Sequence, residues 1–232
     1  MGDKTGAGLA EHCEKALREK WLYLWGTYGQ RATQALIDAN IRQYPDNERW
    51  RAYAGKAIGT TRVSDCYGMV KSYIWWQGDG ADPKYCAAQD VNTQTAFARA
   101  REKGTVAALP EVPGAVLYMT GHVGVYVGGG RFIECAGGGA GVREGKIAGG
   151  KVVAGSGFTH WFLDAGIEYA DADTAVNVTG ADGPSADEVA EAIRALAAMG
   201  IISSPEYWAE NYGKVEYLNR LIVNMGEYCR DK

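Results

Sequence analysis

The spacing of apolar residues along the front of the chain predicts helices. Apolar positions recur at helical spacing over residues 9–21 and again over residues 35–40. A third helix is predicted over residues 65–76, with Ser64 as its N-cap, and a fourth over residues 93–103. The first part of the chain is therefore expected to be mainly helical.

After residue 113 the apolar period changes from helical to alternating. Five short runs separated by glycine-rich turns predict strands at residues 115–119, 122–127, 131–135, 151–154 and 159–162. Many of the 32 glycines lie in the predicted turns of this region. Because helices are followed by an antiparallel meander, we expect an α+β fold in which the N-terminal helices pack on the sheet.

The chain is expected to divide into two domains joined by a linker. Residues 1–169 form the α+β domain, and residues 170–184 are small, acidic and turn-rich, as linkers are. Residues 185–232 predict a small helical module, because residues 185–188 fit a capping box and further helices are expected over residues 204–225. The first helix of this module places three apolar residues on one face: Val189, Ile193 and Leu196.

Composition excludes several classes of protein. Hydrophobic residues make up 47% and charged residues 22% of the chain, which excludes a mainly disordered protein. The sequence contains no run of about 18 apolar residues, so no membrane span is predicted. The net charge is −4 and no basic stripe is visible, which argues against nucleic acid as a partner. Residues 1–15 lack an apolar stretch, so no secretory signal peptide is predicted.

The five cysteines include one candidate nucleophile. Their number is odd, their spacing is wide and no CxxC pair occurs, so neither a disulfide framework nor a metal site is predicted. Cys66 lies in the first turn of a predicted helix, where unpaired N–H groups and the helix dipole favour an anion. We therefore expect its pKa to be lowered and its thiol to be nucleophilic. The alternative is a small apolar residue of the core.

His122 opens a predicted strand and is a candidate base. If residues 128–130 form a three-residue loop, Val127 pairs with Arg131 and Glu134 lies diagonal to His122 on the same face of the sheet. A shift of one residue would replace the carboxylate by Ile133, and a lone strand histidine can also be purely structural.

Gly124 lies between His122 and Glu134 on that face and leaves room for their contact. The pattern predicts a triad in which Cys66 attacks, His122 is the base and Glu134 orients it.

Three segments in this order resemble the NlpC-type cell-wall peptidases, a papain-like family. They are residues 65–70 (DCYGMV), 121–126 (GHVGVY) and 132–136 (FIECA). In that family a D-C-S-G motif carries the nucleophile at a helix start, a G-H-V-G-I-Y-like strand carries the base, and a polar residue on the next strand orients it. The resemblance covers residues 9–165 and implies a papain-like fold.

Three features qualify the resemblance. Tyr67 stands where the family has serine, and Glu134 stands where it more often has His, Asn or Gln. The family's Y-x-W-G segment matches Tyr23 and Trp25, and its tyrosine hydroxyl lies near the nucleophile in relatives. In this chain the segment lies about forty residues before Cys66 instead of about a dozen, which implies an inserted helical segment.

Other side chains are weaker candidates. Asp65 is expected to cap or position the helix of the nucleophile. His160 either reaches the site from the last strand or packs in the core, and His12 is expected to be solvated. Four tryptophans could stack on a glycan or belong to the core: Trp21, Trp25, Trp75 and Trp76.

The resemblance implies a cofactor-free hydrolase of peptidoglycan stem peptides that cuts between the γ-D-glutamyl residue and the diamino acid. Three alternatives are an N-acetylmuramoyl-L-alanine amidase with the same triad, a non-catalytic wall-binding protein, and an acyl transferase. Similarity to phage or prophage endolysins implies a protein held in the cytoplasm until it is released onto the wall. The C-terminal helices are expected to mediate wall targeting or self-association.

Overall fold

The structure is a computed structural model that describes residues 4–78, 81–169, 186–198 and 202. The chain forms two compact units, Met1–Ala172 and Asp173–Lys232. Over the described ranges, no helix has the length and apolar character needed to cross a membrane.

In its described part, the first unit contains five α-helices. They are α1 (Gly6–Arg18), α2 (Gln34–Gln43), α3 (Arg51–Gly55), α4 (Cys66–Ile74) and α5 (Thr93–Arg99), with short 3-10 turns at Pro45–Trp50, Ala87–Gln89 and Val106–Ala108. The N-cap predicted at Ser64 is wrong, because the Asp65 carboxylate accepts the N–H of Gly68 and caps α4. The helix α5 ends before the predicted Lys103, because Ala100 already has an extended backbone.

The strands form two sheets. A three-stranded sheet has the order β1-β3-β2 and a seven-stranded sheet has the order β4-β10-β5-β6-β7-β8-β9, with antiparallel neighbours throughout the larger one. The small sheet contains β1 (Leu22–Tyr23), β2 (Tyr28–Arg31) and β3 (Arg62–Ser64). The large sheet contains β4 (Lys103–Thr105), β5 (Val116–Met119), β6 (His122–Gly128), β7 (Arg131–Ala136), β8 (Gly141–Ala148), β9 (Lys151–Ala154) and β10 (His160–Phe162). The prediction of a mixed helical and antiparallel fold is confirmed, although the small sheet, β4 and β8 were not foreseen.

The hairpin between β6 and β7 places Gly124 opposite Glu134, as the sequence predicted. Its turn contains two residues rather than three, Gly129 and Gly130, with φ of 61° and 72°. Both values lie in the left-handed region that a type I′ turn requires and glycine adopts without strain. The shorter turn would by itself shift the register by one residue.

A bulge compensates for that shift. Arg131 pairs with Gly128 rather than with Val127, so this part of the predicted register is wrong, and the ladder slips between Tyr126 and Gly128. The extra residue restores the expected pairing further along the strands. The alternative register, with Ile133 opposite Gly124, does not occur.

The main core lies between α1, α4 and one face of the seven-stranded sheet, which confirms the expected packing of N-terminal helices on the meander. Its fully buried members include Leu9, Cys13 and Ala16 of α1, Met69 and Val70 of α4, and Val116, Val123, Val125, Ile133 and Cys135 of the sheet. A second core fills the space between the small sheet and α2 and α3: Leu24, Ala32, Ile37, Ile41, Ala54, Ala57 and Val63. A third group packs together on the other face of the large sheet: Val106, Leu117, Phe132, Phe158 and Trp161.

In the second unit, the structure describes the helix α6 (Ala186–Ala198) and residue 202. Val189, Ile193 and Leu196 of this helix are buried, so the predicted apolar face is confirmed. The predicted linker over residues 170–184 and the helices expected over residues 204–225 lie outside the described residues.

His12 connects α1 to the helix that carries Cys66, and the expectation that it is solvated is wrong. The His12 ring is buried against Trp21 and Trp76, and its Nε2 lies 2.6 Å from the Ser72 hydroxyl. Ser72 gives its own proton to the Met69 carbonyl, so His12 is the donor in this pair. Burial, with a smaller effect of nearby cations, lowers the pKa of His12 to about 3.

We expect His12 to make the first unit sensitive to mild acid. The pKa of His12 is lower in the folded chain than in the unfolded chain. Between pH 6.5 and 3 the unfolded chain therefore binds a proton at His12 that the folded chain does not, and the free energy of unfolding decreases as the pH is lowered. This effect should cost about 2 kcal/mol between pH 7 and pH 5. His12→Gln, which keeps an uncharged donor, should flatten that dependence in urea melts. An identical pH dependence in the variant and the parent would contradict this assignment.

Candidate active site

The nucleophile candidate Cys66 begins α4 at the point where β3 ends. Asp65 precedes it, and the Asp65 carboxylate accepts N–H groups from Gly68 at 2.5 Å and from Gly26 at 2.8 Å. The first bond caps α4, and the second joins it to the turn after β1. Burial raises the pKa of Asp65, although these two bonds oppose the rise.

The Cys66 thiol is buried, with 8% of the residue exposed. The backbone N–H groups of Val123 and Tyr67 donate hydrogen bonds to it. Burial nevertheless raises the thiol pKa to about 12, with the Asp65 carboxylate adding to the rise. The lowered pKa expected from the helix start is therefore wrong, because desolvation outweighs those bonds. A neutral thiol needs a base to become a nucleophile.

His122 is the nearby base candidate. Its Nε2 lies 2.6 Å from Oε2 of Glu134, as the predicted register requires. That contact leaves Nδ1 as the nitrogen for proton exchange with a thiol. The N–H that contacts the thiol belongs to Val123, the next residue in β6, so sulfur and imidazole lie at the same end of the strand.

Glu134 has no exposed surface, yet it carries a charge. Its Oε1 accepts the Nε–H of Arg143 at 3.0 Å and the backbone N–H of Ser156 at 2.9 Å. Burial alone would raise the pKa of Glu134, but hydrogen bonds from His122 and Ser156 outweigh it and hold the pKa at about 2. A buried carboxylate with this many donors can orient an imidazole and stabilise its cation.

Phe158 completes the support of the imidazole. Its ring stacks on His122 with a centroid separation of 5.5 Å and an interplanar angle of 15°. A Cβ at Gly124 would lie 3.0 Å from the Phe158 ring. Gly124 therefore leaves room for this aromatic ring, in addition to the expected contact between His122 and Glu134.

Two predicted supporting tyrosines lie beside the nucleophile in different roles. Tyr23 of β1 pairs with Ser64 of β3, and its pKa is raised by burial first and then by Asp65 and Cys66. Tyr23 thus lies near Cys66, and the role of its hydroxyl stays a prediction. The Tyr67 hydroxyl instead donates to Asp164 at 2.6 Å, and the buried ring anchors the segment after β10.

A cleft of about 900 Å³ opens at the nucleophile. Its lining includes Cys66, Tyr23 and the half-exposed Trp25, together with α2 on one wall and the segment from Tyr85 to Thr93 on the other. The helical insertion expected between Trp25 and Cys66 is present as α2 and α3, and α2 forms part of the cleft.

His160 does not belong to this site. It lies on β10, which is separated from β6 by β5. The ring packs edge-on to Phe97 at 5.7 Å and contacts the Thr159 hydroxyl. Of the two predicted roles of His160, packing is the one observed.

Three residues of the site were missed in the sequence: Arg143, Ser156 and Phe158. Arg143 lies on β8 directly opposite Glu134, a charge pair that strand pairing would have predicted had β8 been recognised. Gly141 and Gly145 break the apolar alternation of β8 and hid that strand. Ser156 and Phe158 lie in the irregular segment before β10, where no periodicity points to them.

Comparison of the chain with protein-family models, with curated proteins and with solved structures gives no match. The function is therefore inferred from the residues of the site and their geometry.

We expect Glu134→Gln to destabilise the first unit at neutral pH. The pKa of Glu134 is lowered on folding, so its contribution is present above about pH 4.5 and disappears as pH falls toward 2. The loss should be on the order of 3 kcal/mol at pH 7 and shrink toward zero near pH 2. Urea melts measure it, with Glu144→Gln, a half-exposed carboxylate paired to Arg131, as the matched control. Equal losses in the two variants would contradict the role of Glu134.

The raised thiol pKa predicts how Cys66 reacts with iodoacetamide. Because the resting thiol is neutral, alkylation should rise about tenfold per pH unit between pH 7 and 9. His122→Ala should slow the reaction at pH 7. Peptide mass spectrometry separates Cys66 from the other cysteines. A rate that stays constant between pH 5 and 8 would indicate a preformed thiolate and contradict this prediction.

Proposed function

We propose that the first unit is an NlpC-type, papain-like cysteine hydrolase that cuts an amide bond in the stem peptides of peptidoglycan. The observation that carries this proposal is the buried Glu134, which holds Nε2 of His122 at 2.6 Å at the end of β6 where Val123 contacts the Cys66 thiol. The order of the three side chains along the chain is the one that the sequence motifs suggested. The bond we favour is that between the γ-D-glutamyl residue and the diamino acid.

The reaction proceeds by nucleophilic catalysis. As Sγ of Cys66 attacks the carbonyl carbon, the thiol proton moves to Nδ1 of His122 and the carbonyl oxygen gains negative charge. The backbone N–H of Cys66 at the start of α4 is a donor for that oxyanion. The C–N bond then breaks, the amine leaves with the proton from His122, and water releases the acyl group from sulfur. Glu134 stabilises the imidazolium throughout.

An N-acetylmuramoyl-L-alanine amidase is the second candidate. It would use the same three side chains on a neighbouring bond, and the volume of the cleft, about 900 Å³, accommodates a sugar ring beside the peptide. The second unit is proposed to target the wall or to mediate self-association.

Digestion of purified peptidoglycan tests the proposal. We expect the parent protein to release new free amines on the diamino acid, and Cys66→Ala to reduce that release about a thousandfold or more. Cys86→Ala, which removes a partly buried thiol outside the cleft lining, should retain the parental rate. Mass spectrometry of the new termini is the measurement.

Three outcomes would contradict the proposal in different ways. Alanine N-termini on the released stems would identify the amidase. Stems joined to an added amine would identify acyl transfer. Lysis by Cys66→Ala equal to that of the parent would reject the catalytic role and leave a wall-binding protein.

A further inference from the structure

The cleft contains an exposed indole whose backbone is held by buried amides. The residue Trp25 is 51% exposed, whereas Trp21 and Trp75 are almost fully buried. The Trp25 carbonyl accepts hydrogen bonds from Asn40 at 3.0 Å and from Asn47 at 2.9 Å. Both asparagines are buried, and Asn47 also donates to Asn40 at 2.6 Å. Two buried amides thus fix the backbone from which this exposed side chain projects.

A second ring stands beside the indole. Tyr44 packs edge-on to Trp25, with centroids 4.6 Å apart and an interplanar angle of 73°. Gly26 follows Trp25 and donates its backbone N–H to Asp65. A Cβ at Gly26 would lie 2.6 Å from the Tyr44 ring. The close approach of Tyr44 therefore requires glycine at this position. The two rings form a rigid corner of the cleft, and this corner is joined through Asp65 to the helix of Cys66.

Polar groups at the corner are neutral. Gln43 donates to the Tyr44 hydroxyl at 2.9 Å, which leaves the hydroxyl proton and the Gln43 carbonyl for a ligand. Among the described residues that line the cleft, three carry charged side chains and each is engaged: Asp65 by backbone N–H groups, and Lys71 and Asp90 by each other. An aromatic face with neutral donors and acceptors fits a neutral polyhydroxy ring better than a charged peptide segment.

We propose that Trp25, Tyr44 and Gln43 form a subsite for a neutral N-acetylated sugar ring, with the Trp25 indole as the stacking surface. This subsite rests on the function proposed above, because it places the glycan end of a wall fragment in the cleft that leads to Cys66. Trp25 is then a specificity-determining residue for that reaction, because the subsite would distinguish stem peptides that carry sugar from free stem peptides.

Binding is measured on the full chain with Cys66→Ala, so that hydrolysis does not interfere. The probe is N,N′-diacetylchitobiose, a neutral N-acetylated disaccharide, and the readout is the indole N–H resonance of Trp25, assigned by its loss in Trp25→Ala. We expect this resonance to shift with the disaccharide, and not with a stem peptide that lacks sugar. No shift at about 10 mM disaccharide, or a shift of the Trp25 resonance that disappears in Tyr85→Ala but persists in Tyr44→Ala, would overturn the assignment.

Hydrolysis supplies the second readout. The ratio of kcat/KM for a disaccharide–stem peptide to that for the free stem peptide should fall about tenfold in Trp25→Ala and recover in Trp25→Tyr. Ile58→Ala, which truncates an exposed apolar residue outside the cleft lining, is the matched control and should keep the ratio. An unchanged ratio in Trp25→Ala would overturn the subsite. Hydrolysis of neither substrate would reject the proposed function instead, while the binding experiment would still decide whether the sugar subsite exists.

Discussion

The Asp65 carboxylate receives backbone N–H groups from two segments of the chain, and the geometry of the site depends on this convergence. The bond from Gly68 starts α4, and the bond from Gly26 holds the turn after β1 against that start. A partly buried carboxylate is costly unless its oxygens are satisfied, and two main-chain donors satisfy it. The same contact that places Cys66 at a helix terminus therefore also sets where the Trp25 turn can lie.

The two faces of the strand β6 have different roles. Val123 and Val125 point into the core shared with α1 and α4, and the first of them also donates its N–H to the thiol. On the other face, His122 rests on Phe158 and is held by Glu134. The ladder thus places the imidazole and the residue that contacts the thiol next to each other in β6, with their side chains on opposite faces. The bulge at Val127 preserves this arrangement, since a slip of one residue would exchange the faces.

Sequence reasoning found the residues whose positions follow from short-range rules. A strand period places His122 and Glu134 together, and a helix start places Cys66. It failed where a property of a residue depends on contacts with residues far away in the chain. The thiol pKa depends on burial by segments far along the chain, so the helix start alone predicted a lowered pKa where burial raises it. Arg143 was hidden because the glycine-interrupted β8 lacks a clear alternation, and His160 could be assigned to the core only after the strand order was known.

The second core has a consequence for how the cleft can be altered. The segment that carries α2 and α3 packs mainly on its own apolar residues, on Leu24 after β1 and on Val63 of β3, away from the strands that hold His122 and Glu134. Exchanges on the cleft side of α2 can therefore change the shape of one wall of the cleft while the strands that hold His122 and Glu134 stay intact. Selection or engineering can therefore alter what the cleft accepts by changing the insertion alone.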